Sequence, residues 1–448
     1  MMNLFKRIMY INELKENRNS FHKTVRTAAK KIDDSFAMPS DVGLTPEEKD
    51  AVDAYWSRYR FAYPKIDYKS FATFKNRYGQ FDVRHCPGPI RSKYFYQYFN
   101  TEGYMGALQN KCLLNKLFPG IKTPMNVVRY MRGFFYDKNY VWIKKSTAYR
   151  ICMEELSKGN SLIFKPSNVG GGRGVTIIDA GSDSADMIIK SCLDNPHAAF
   201  VIQRLIKQNE FLNAFNDSSF NTIRITSLLY KGKVHVLAGL IRIGQPGSRI
   251  DNFSQGGCIL GFDINTGKCN KWALTKKNER ITELPSGLDL TQDFFVPNID
   301  QLKKTVRKLH VQIPYLRLVS WDIGIDDSEE FTLIENNAMG MIQIHEAVTG
   351  PIFGELLDDL LDDYLLKKFY YTGANLSYTY REYDDHVEIE SYDGKAVKVR
   401  VPDKIKGKPV TRILPNAFGN RIKKVIVSRT ISEQSESVLL GVKKVDLI

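Results

Sequence analysis

Apolar residues recur in two rhythms along this chain, and the switch between them marks out its elements. Near the start, Leu4, Phe5, Ile8, Ile11 and Leu14 return at helical spacing with Lys6, Arg7, Lys15 and Arg18 among them. Such a stripe predicts a helix that packs against its own domain or a second subunit, with an anionic membrane surface as the alternative. A second helix is predicted in LTPEEKDAVDAYWSRY, where Thr45 can cap and Pro46 takes the first helical position. Residues 109–125 read as a helix running through a glycine and Thr-Pro into a strand, and 146–158 as another helix.

Period-two and continuous apolar runs then take over. Strands are predicted at 162–164, 175–178, 198–205, 221–230 and 233–244, the last two joined at Lys231-Gly232. Residues 248–257 are loop, and 257–274 form a hairpin turning at Asn265 to Gly267. Ile299, Leu302, Val306 and Leu309 mark a helix that ends before Pro314. Two alternating strands flank the turn DDSEE within 318–340, and an amphipathic helix follows at 354–369. Its Asp358, Asp359, Asp362 and Asp363 are expected on a solvated face. From Tyr378 the text changes to short alternating strands. The expected organisation is a helical N-terminal region (1–100), a catalytic domain (101–370) and a β-rich appendage (376–448), an α+β protein.

Composition narrows the classes. At 448 residues the chain can bury a large core, and 43% hydrophobic with 25% charged residues is ordinary for a globular protein. The opening stretch is broken by charges, unlike a signal peptide, and no uncharged run reaches the ~18 residues a membrane helix needs. The six cysteines lack a CxxC pair, which predicts reduced thiols in a cytoplasmic setting. A net charge of +14 invites a polyanion, but 64 cations against 50 anions form no long basic block, and no nucleic-acid motif accompanies them.

Chemistry concentrates in SLIFKPSNVGGGRGVTIID, residues 161–179. Lys165 ends the first strand, and Gly170, Gly171, Gly172 and Gly174 (with Arg173 among them) fill the loop to the second. Glycines let a backbone approach an anion and point successive N–H groups at it. The competing reading is a hairpin tip where glycine serves only the turn. The pattern is neither a Walker A loop nor a Rossmann fingerprint, because a strand follows the loop and no Lys-Ser/Thr follows the last glycine.

Folded symmetrically about Ser328 and Glu329, the 318–340 hairpin sets Asp322 opposite Glu335, and Glu335 shares a face with Asn337. Like charges paired directly, ~5 Å apart, destabilise a sheet. A divalent cation such as Mg²⁺ removes that repulsion and suits hard oxygen donors. The alternative is a pair of surface carboxylates, but apolar Trp321, Ile323, Leu333 and Ile334 predict a buried ribbon.

Taken together, these stretches resemble the ATP-grasp superfamily, and within it the sugar-transfer-associated ATP-grasp proteins, from about residue 44 to 366. The resemblance implies an ATP-grasp fold, in which two α/β subdomains grip ATP, and Mg²⁺ or Mn²⁺ as metal. It implies that Lys165, the glycine loop and Lys111 bind phosphates, and that Gln203 to Leu205 form the linker on adenine. It also implies Glu210 or Gln208 on the ribose, and Arg224, Arg242 and Asn252 (from DNFSQGG, with Gly256 and Gly257) at the transferred group. Asp322, Glu335 and Asn337 match the metal-binding Asp and Glu-x-Asn. The linker departs from the pattern at Arg204, where an acidic residue is common. The implied activity is an ATP-dependent carboxylate–amine ligase in surface polysaccharide or glycoconjugate synthesis. Its partners would be a small carboxylate and an amine, with a homodimer and peripheral membrane contact as further expectations. A sugar or lipid kinase and a non-catalytic nucleotide- or polyanion-binding module are the competing classes. The tail is similar to one or so BspA-type leucine-rich repeats, with VPDKIKGKPVTRI followed by NAF. Among the histidines, His345 is the strongest candidate for a general base, although a loop histidine without that role is the preferred reading.

Overall fold

The computed structural model describes residues 43–59, 63, 65–91, 95–100, 102–167, 172–195, 197–249, 251, 253, 256–338, 340–363, 378–392, 397–405, 407–415, 417–420, 422–439 and 442–447. The helical stripe expected in the first 18 residues lies outside them. Two compact units divide the described chain, Ser70–Ile352 and Gly43–Lys69 with Phe353–Ile448.

The first unit carries two antiparallel sheets. Strands β1 (Asn126–Met131), β2 (Phe134–Tyr136), β3 (Trp142–Ile143), β4 (Leu162–Pro166), β5 (Thr176–Ile178) and β6 (Ala199–Arg204) form one, in the order β3-β2-β1-β6-β4-β5. Helices Lys145–Ser157 and Ala185–Leu193 cover it, with Ala148, Cys152, Leu156, Ile189 and Leu193 packed on Val128, Leu162, Phe164, Phe200 and Ile202. β4 and β5 are a hairpin pairing Leu162 with Ile178 and Phe164 with Thr176, so the glycine loop is its tip. In that tip Gly172 (φ 68°) and Gly174 (φ 71°) occupy the left-handed region where a Cβ is strained.

The larger sheet comprises β7 (Thr222–Tyr230), β8 (Lys233–Ile243), β9 (Cys258–Phe262), β10 (Ala273–Thr275), β11 (Arg280–Ile281), β12 (Leu318–Ile325) and β13 (Phe331–Asn337), ordered β11-β10-β9-β8-β7-β12-β13. Helix Ile299–Val311 packs Leu302, Val306 and Leu309 on one face, and helix Ile342–Thr349 places Ile344, Ala347 and Val348 beside Leu240 and Ile259 on the other. Covered on both sides, β12 is buried throughout instead of alternating. Polar groups inside this core are linked in a chain. Trp321 Nε1 donates to Ser227 Oγ at 2.7 Å, which lies 2.7 Å from His310 Nδ1, and His310 Nε2 meets the Leu316 carbonyl at 2.9 Å. Each buried partner is thereby satisfied.

The β12–β13 hairpin does not fold with the simple symmetry expected of it. Near the turn Ile323 pairs with Leu333 and Ile325 with Phe331, while beyond it Asp322 pairs with Glu335 and Ser320 with Asn337. One extra residue, Ile334, is bulged out between the two registers. The turn is therefore centred on Ser328, and the bulge restores the expected pairing of Asp322 with Glu335.

In the second unit, the helix Pro46–Trp56 opens with the anticipated cap. Thr45 and Glu48 form a reciprocal capping box. The aspartates of helix Leu356–Leu361 and its C-cap are not all on a solvated face, a correction. Tyr55 and Tyr59 donate hydroxyl hydrogen bonds to Asp358 (2.7 Å) and Asp362 (2.8 Å), because the tyrosines bring hydroxyls to an otherwise apolar contact. From Tyr378 onward lie β14 (Tyr378–Glu382), β15 (Val387–Tyr392), β16 (Lys398–Arg400), β17 (Lys404–Ile405), β18 (Lys408–Ile413), β19 (Lys424–Val427) and β20 (Val445–Leu447). β16, β19 and β20 stack in parallel, as do β15 and β18, and their Val387, Ile389, Val399, Val410 and Val425 share one core.

Candidate functional site

Strands from both sheets of the first unit wall a cavity of about 350 Å³. The strand alternation aims Lys165 of β4, Thr222 and Arg224 of β7, Arg242 of β8, Asp322 of β12 and Glu335 and Asn337 of β13 into it. Apolar Ile163, Val175, Phe220, Phe253, Met341 and Ile344 supply much of the remaining surface. Phe220 packs against Gly324, where an added Cβ would come within 2.4 Å of its ring, so the glycine admits that wall.

Charge is arranged in a connected cluster. Arg224 binds Asp322 bidentately, Nε to Oδ1 and Nη2 to Oδ2, both at 2.6 Å. Arg242 bridges two acids, with Nη1 3.1 Å from Asp322 Oδ2 and Nη2 3.3 Å from Asp251 Oδ1. Thr222 Oγ1 donates to the other oxygen of Asp251. Lys111 lies 3.0 Å from Glu335 Oε2. Burial alone would raise the Asp322 carboxyl, but Arg224 and Arg242 outweigh it and hold that group well below the usual carboxylate range. For Asp251 burial prevails and the carboxyl is pushed up.

Lys165 differs from its neighbours. Burial pushes its ammonium down to about 8, against the pull of Glu335. Among the described residues it has no ion-pair partner. A buried cation with no direct ion pair is poised to receive an anion.

The sequence-derived candidates divide as follows. Lys111, Lys165, Gly172, Leu205, Arg224, Arg242, Asp322, Glu335 and Asn337 all line the cavity. Gly170, Gly171 and Asn252 lie outside the described residues. Arg173, Gly174, Gln203, Gln208 and Glu210 are not among the lining residues. Gln203 donates to Asn126 Oδ1 at 3.1 Å, and Gln208 ties the Asn216 and Ser219 carbonyls (3.0 and 2.8 Å) to the Asn221 N–H. Glu210 begins the helix Glu210–Phe215 with its side chain exposed. Arg204 does line the cavity, and its Nε donates to Glu155 at 2.5 Å.

His345 is neither a loop residue nor available as a base. It lies inside helix Ile342–Thr349, fully buried, with Nε2 3.0 Å from Thr226 Oγ1, and burial pushes it down to about 3. The chain after Gly340 turns directly into this helix, which carries His345 into the core. Sequence reasoning missed Asp251 and Thr222. Asp251 immediately precedes Asn252 in DNFSQGG, and Thr222 stands two residues before Arg224 on the same strand face. That period-two relation was the available signal for Thr222.

The family model described as sugar-transfer associated ATP-grasp matches residues 90–357, more than half of the chain. The chain belongs to that family. Its fold is the ATP-grasp fold, and ATP binding is the family's common property. No curated protein matches the sequence. Solved structures similar to it include D-alanyl-alanine synthetase A from Vibrio cholerae O1 biovar eltor (10% identity, 61% of this chain and 66% of that one, TM-score 0.35). Others are VanG D-Ala:D-Ser ligase from Enterococcus faecalis (14%, 57% and 61%, 0.34) and biotin carboxylase from Campylobacter jejuni (14%, 58% and 46%, 0.36). The matched region thus spans less than two-thirds of each of these chains.

Proposed function

We propose that this chain is an ATP-dependent ligase that joins a small carboxylate to an amine through an acyl phosphate, in the synthesis of cell-surface polysaccharide or glycoconjugate. The observation that carries it is the Lys165 ammonium, which has no ion-pair partner among the described residues and is set in one cavity with Arg224 and Arg242, facing the Asp322–Glu335–Asn337 oxygens. Phosphoryl transfer asks a protein mainly for positioning and charge neutralisation, and this set provides both.

The three oxygen-bearing side chains fit a hard cation. Asn337 Nδ2 stands 3.3 Å from Asp322 Oδ2 and 3.5 Å from Glu335 Oε1. The amide's oxygen and nitrogen are interchangeable by a flip, which would turn a third oxygen toward the two carboxylates. Asp322, Glu335 and Asn337 would hold Mg²⁺, which when bound neutralises phosphate charge. Lys165 and the glycine tip then hold the terminal phosphates of ATP. Arg224 and Arg242 stabilise the group in flight as the acceptor carboxylate oxygen bonds to phosphorus and ADP leaves. An amine next attacks the acyl carbon, and phosphate departs with the C–O electron pair.

The test is trapping. Protein, Mg·ATP and a pool of amino acids and sugar acids are incubated with hydroxylamine. Hydroxamate and ADP are expected only when the right carboxylate is present. A kinase is the second reading, favoured by Asp251, a buried carboxylate at the cavity that could deprotonate a hydroxyl. A stable phosphorylated alcohol without hydroxamate would decide for it.

A further inference from the structure

Three carboxylates line the cavity among the described residues, Asp251, Asp322 and Glu335. Two of them face each other across the β12–β13 pair and suit a cation. Asp251 stands apart from that pair and is unexplained by it. It comes from the loop after β8, is 7% exposed, and among the described residues shares an ion-pair partner with Asp322 in Arg242. The two terminal nitrogens of that guanidinium point separately, Nη1 to Asp322 and Nη2 to Asp251. A phosphate drawn to Arg242 would therefore have the cation-holding acids to one side and Asp251 to the other.

The surroundings of Asp251 leave it suited to a transferable proton. The charged groups acting on it include Arg242, Asp322, Arg224 and Lys165, and Thr222 supplies one hydrogen bond. Burial outweighs these arginines, so its carboxylate is more basic than an ordinary aspartate. An amine acceptor reaches the site at neutral pH as an ammonium, which cannot attack until a proton is removed. His345 cannot take that proton, being sealed in its helix.

We infer that Asp251 receives the acceptor of the proposed ligase, its carboxylate pairing with a primary ammonium and taking the proton as nitrogen attacks the acyl phosphate. The inference rests on the ligase reading above. Asp251 takes one proton from the ammonium and so frees the nitrogen lone pair. The N–C bond forms, the C–O bond to phosphate breaks, phosphate keeps that electron pair, and the second proton, lost as the amide nitrogen becomes neutral, leaves with the phosphate. The acceptor class is accordingly a primary amine, bounded by the apolar Phe253 beside Asp251 in the wall.

Two small nucleophiles separate this role from a structural one. Hydroxylamine is neutral at pH 7, whereas methylamine is an ammonium and needs a base. Wild type and Asp251→Asn are incubated with Mg·ATP and a pool of uronic acids and N-acetylamino acids, with each nucleophile in turn. In Asp251→Asn the ratio of methylamide to hydroxamate is expected to fall about 100-fold, the scale of general-base assistance. That gap should close as pH approaches the pKa of methylamine. Asp251→Glu should recover part of the ratio, and it serves as the test chain if the asparagine variant does not fold. Equal losses with both nucleophiles would overturn the inference and leave Asp251 as a support for Arg242. Absence of hydroxamate from wild type would instead remove the ligase reading itself, and this inference with it.

Discussion

Arg224 holds Asp322 by two parallel hydrogen bonds of 2.6 Å, from a guanidinium and to a carboxylate that are both almost wholly buried. An acid expected to face a metal is thus already neutralised by the protein's own cations. Removing one partner of such a pair leaves the other charge stranded, which costs about 3–5 kcal/mol. In Arg224→Met the Asp322 carboxylate keeps Arg242, so the variant should lower the stability of the first unit by less, about 1–3 kcal/mol, in urea unfolding. Arg224→Met with Asp322→Leu should recover most of the loss. A single-variant loss below about 1 kcal/mol would mean that the pair is not the buried contact described.

Lys165→Ala should weaken Mg·ATP binding at least tenfold by calorimetry, a change of about 1.4 kcal/mol. The wild-type affinity should depend on pH with a definite sign. With its pKa pushed down to about 8, Lys165 is charged below that pH and neutral above it. Affinity for the anion should therefore decline as pH rises beyond 8, and Lys165→Ala should abolish that decline. Folding runs the other way, since the unfolded lysine holds its proton to higher pH and stability rises from pH 8 toward the unfolded value.

Glu346 predicts a second pH effect. Burial pushes its carboxyl up to about 8, and Oε1 accepts from the Cys86 N–H at 3.2 Å while His85 stacks on Phe74 nearby. The folded state keeps Glu346 protonated where the unfolded chain has lost the proton, so stability falls as pH rises from the unfolded value through 8. His85, pushed down to about 3, acts oppositely between 3 and its unfolded value near 6.5. The window from about 6.5 to 8 thus isolates Glu346. Glu346→Gln should flatten the stability profile there, and a wild-type profile already flat would contradict the assignment.

The β-rich tail should be dispensable for turnover. Among the described residues its core draws on Tyr378 and positions beyond it, including Val387, Val399, Ile413, Val427 and Leu439. A chain ending at residue 376 should retain ATP turnover while losing one thermal transition. Loss of turnover in a chain whose first unit still melts cooperatively would count against this.

The sequence made the fold legible where periods were long and turns were marked. β7 and β8 were visible because Lys231 and Gly232, both at positive φ, separate two long apolar runs. Lys165 was visible because it stands between a strand and a glycine tip. Asp251 was not, because its partners Thr222 and Arg242 come from two strands and meet only in the folded sheet. His345 was misplaced for a local reason, since Ile342–Thr349 form a helix whose polar residues Gln343, His345 and Glu346 are buried and break the usual amphipathic stripe. The aspartates after Glu355 looked solvated because Tyr55 and Tyr59, their hydrogen-bond donors, lie some three hundred positions earlier.

The bulge at Ile334 changes the parity of its strand. In an unbroken strand Leu333 and Glu335 would lie on one face, yet Leu333 packs in the core and Glu335 lines the cavity. The extra residue lets the two ends of β13 answer to different masters, the turn end to packing and the far end to chemistry. Deleting Ile334 forces one end to inherit the other's phase, so that either Leu333 leaves the core or both site residues rotate out of the cavity together.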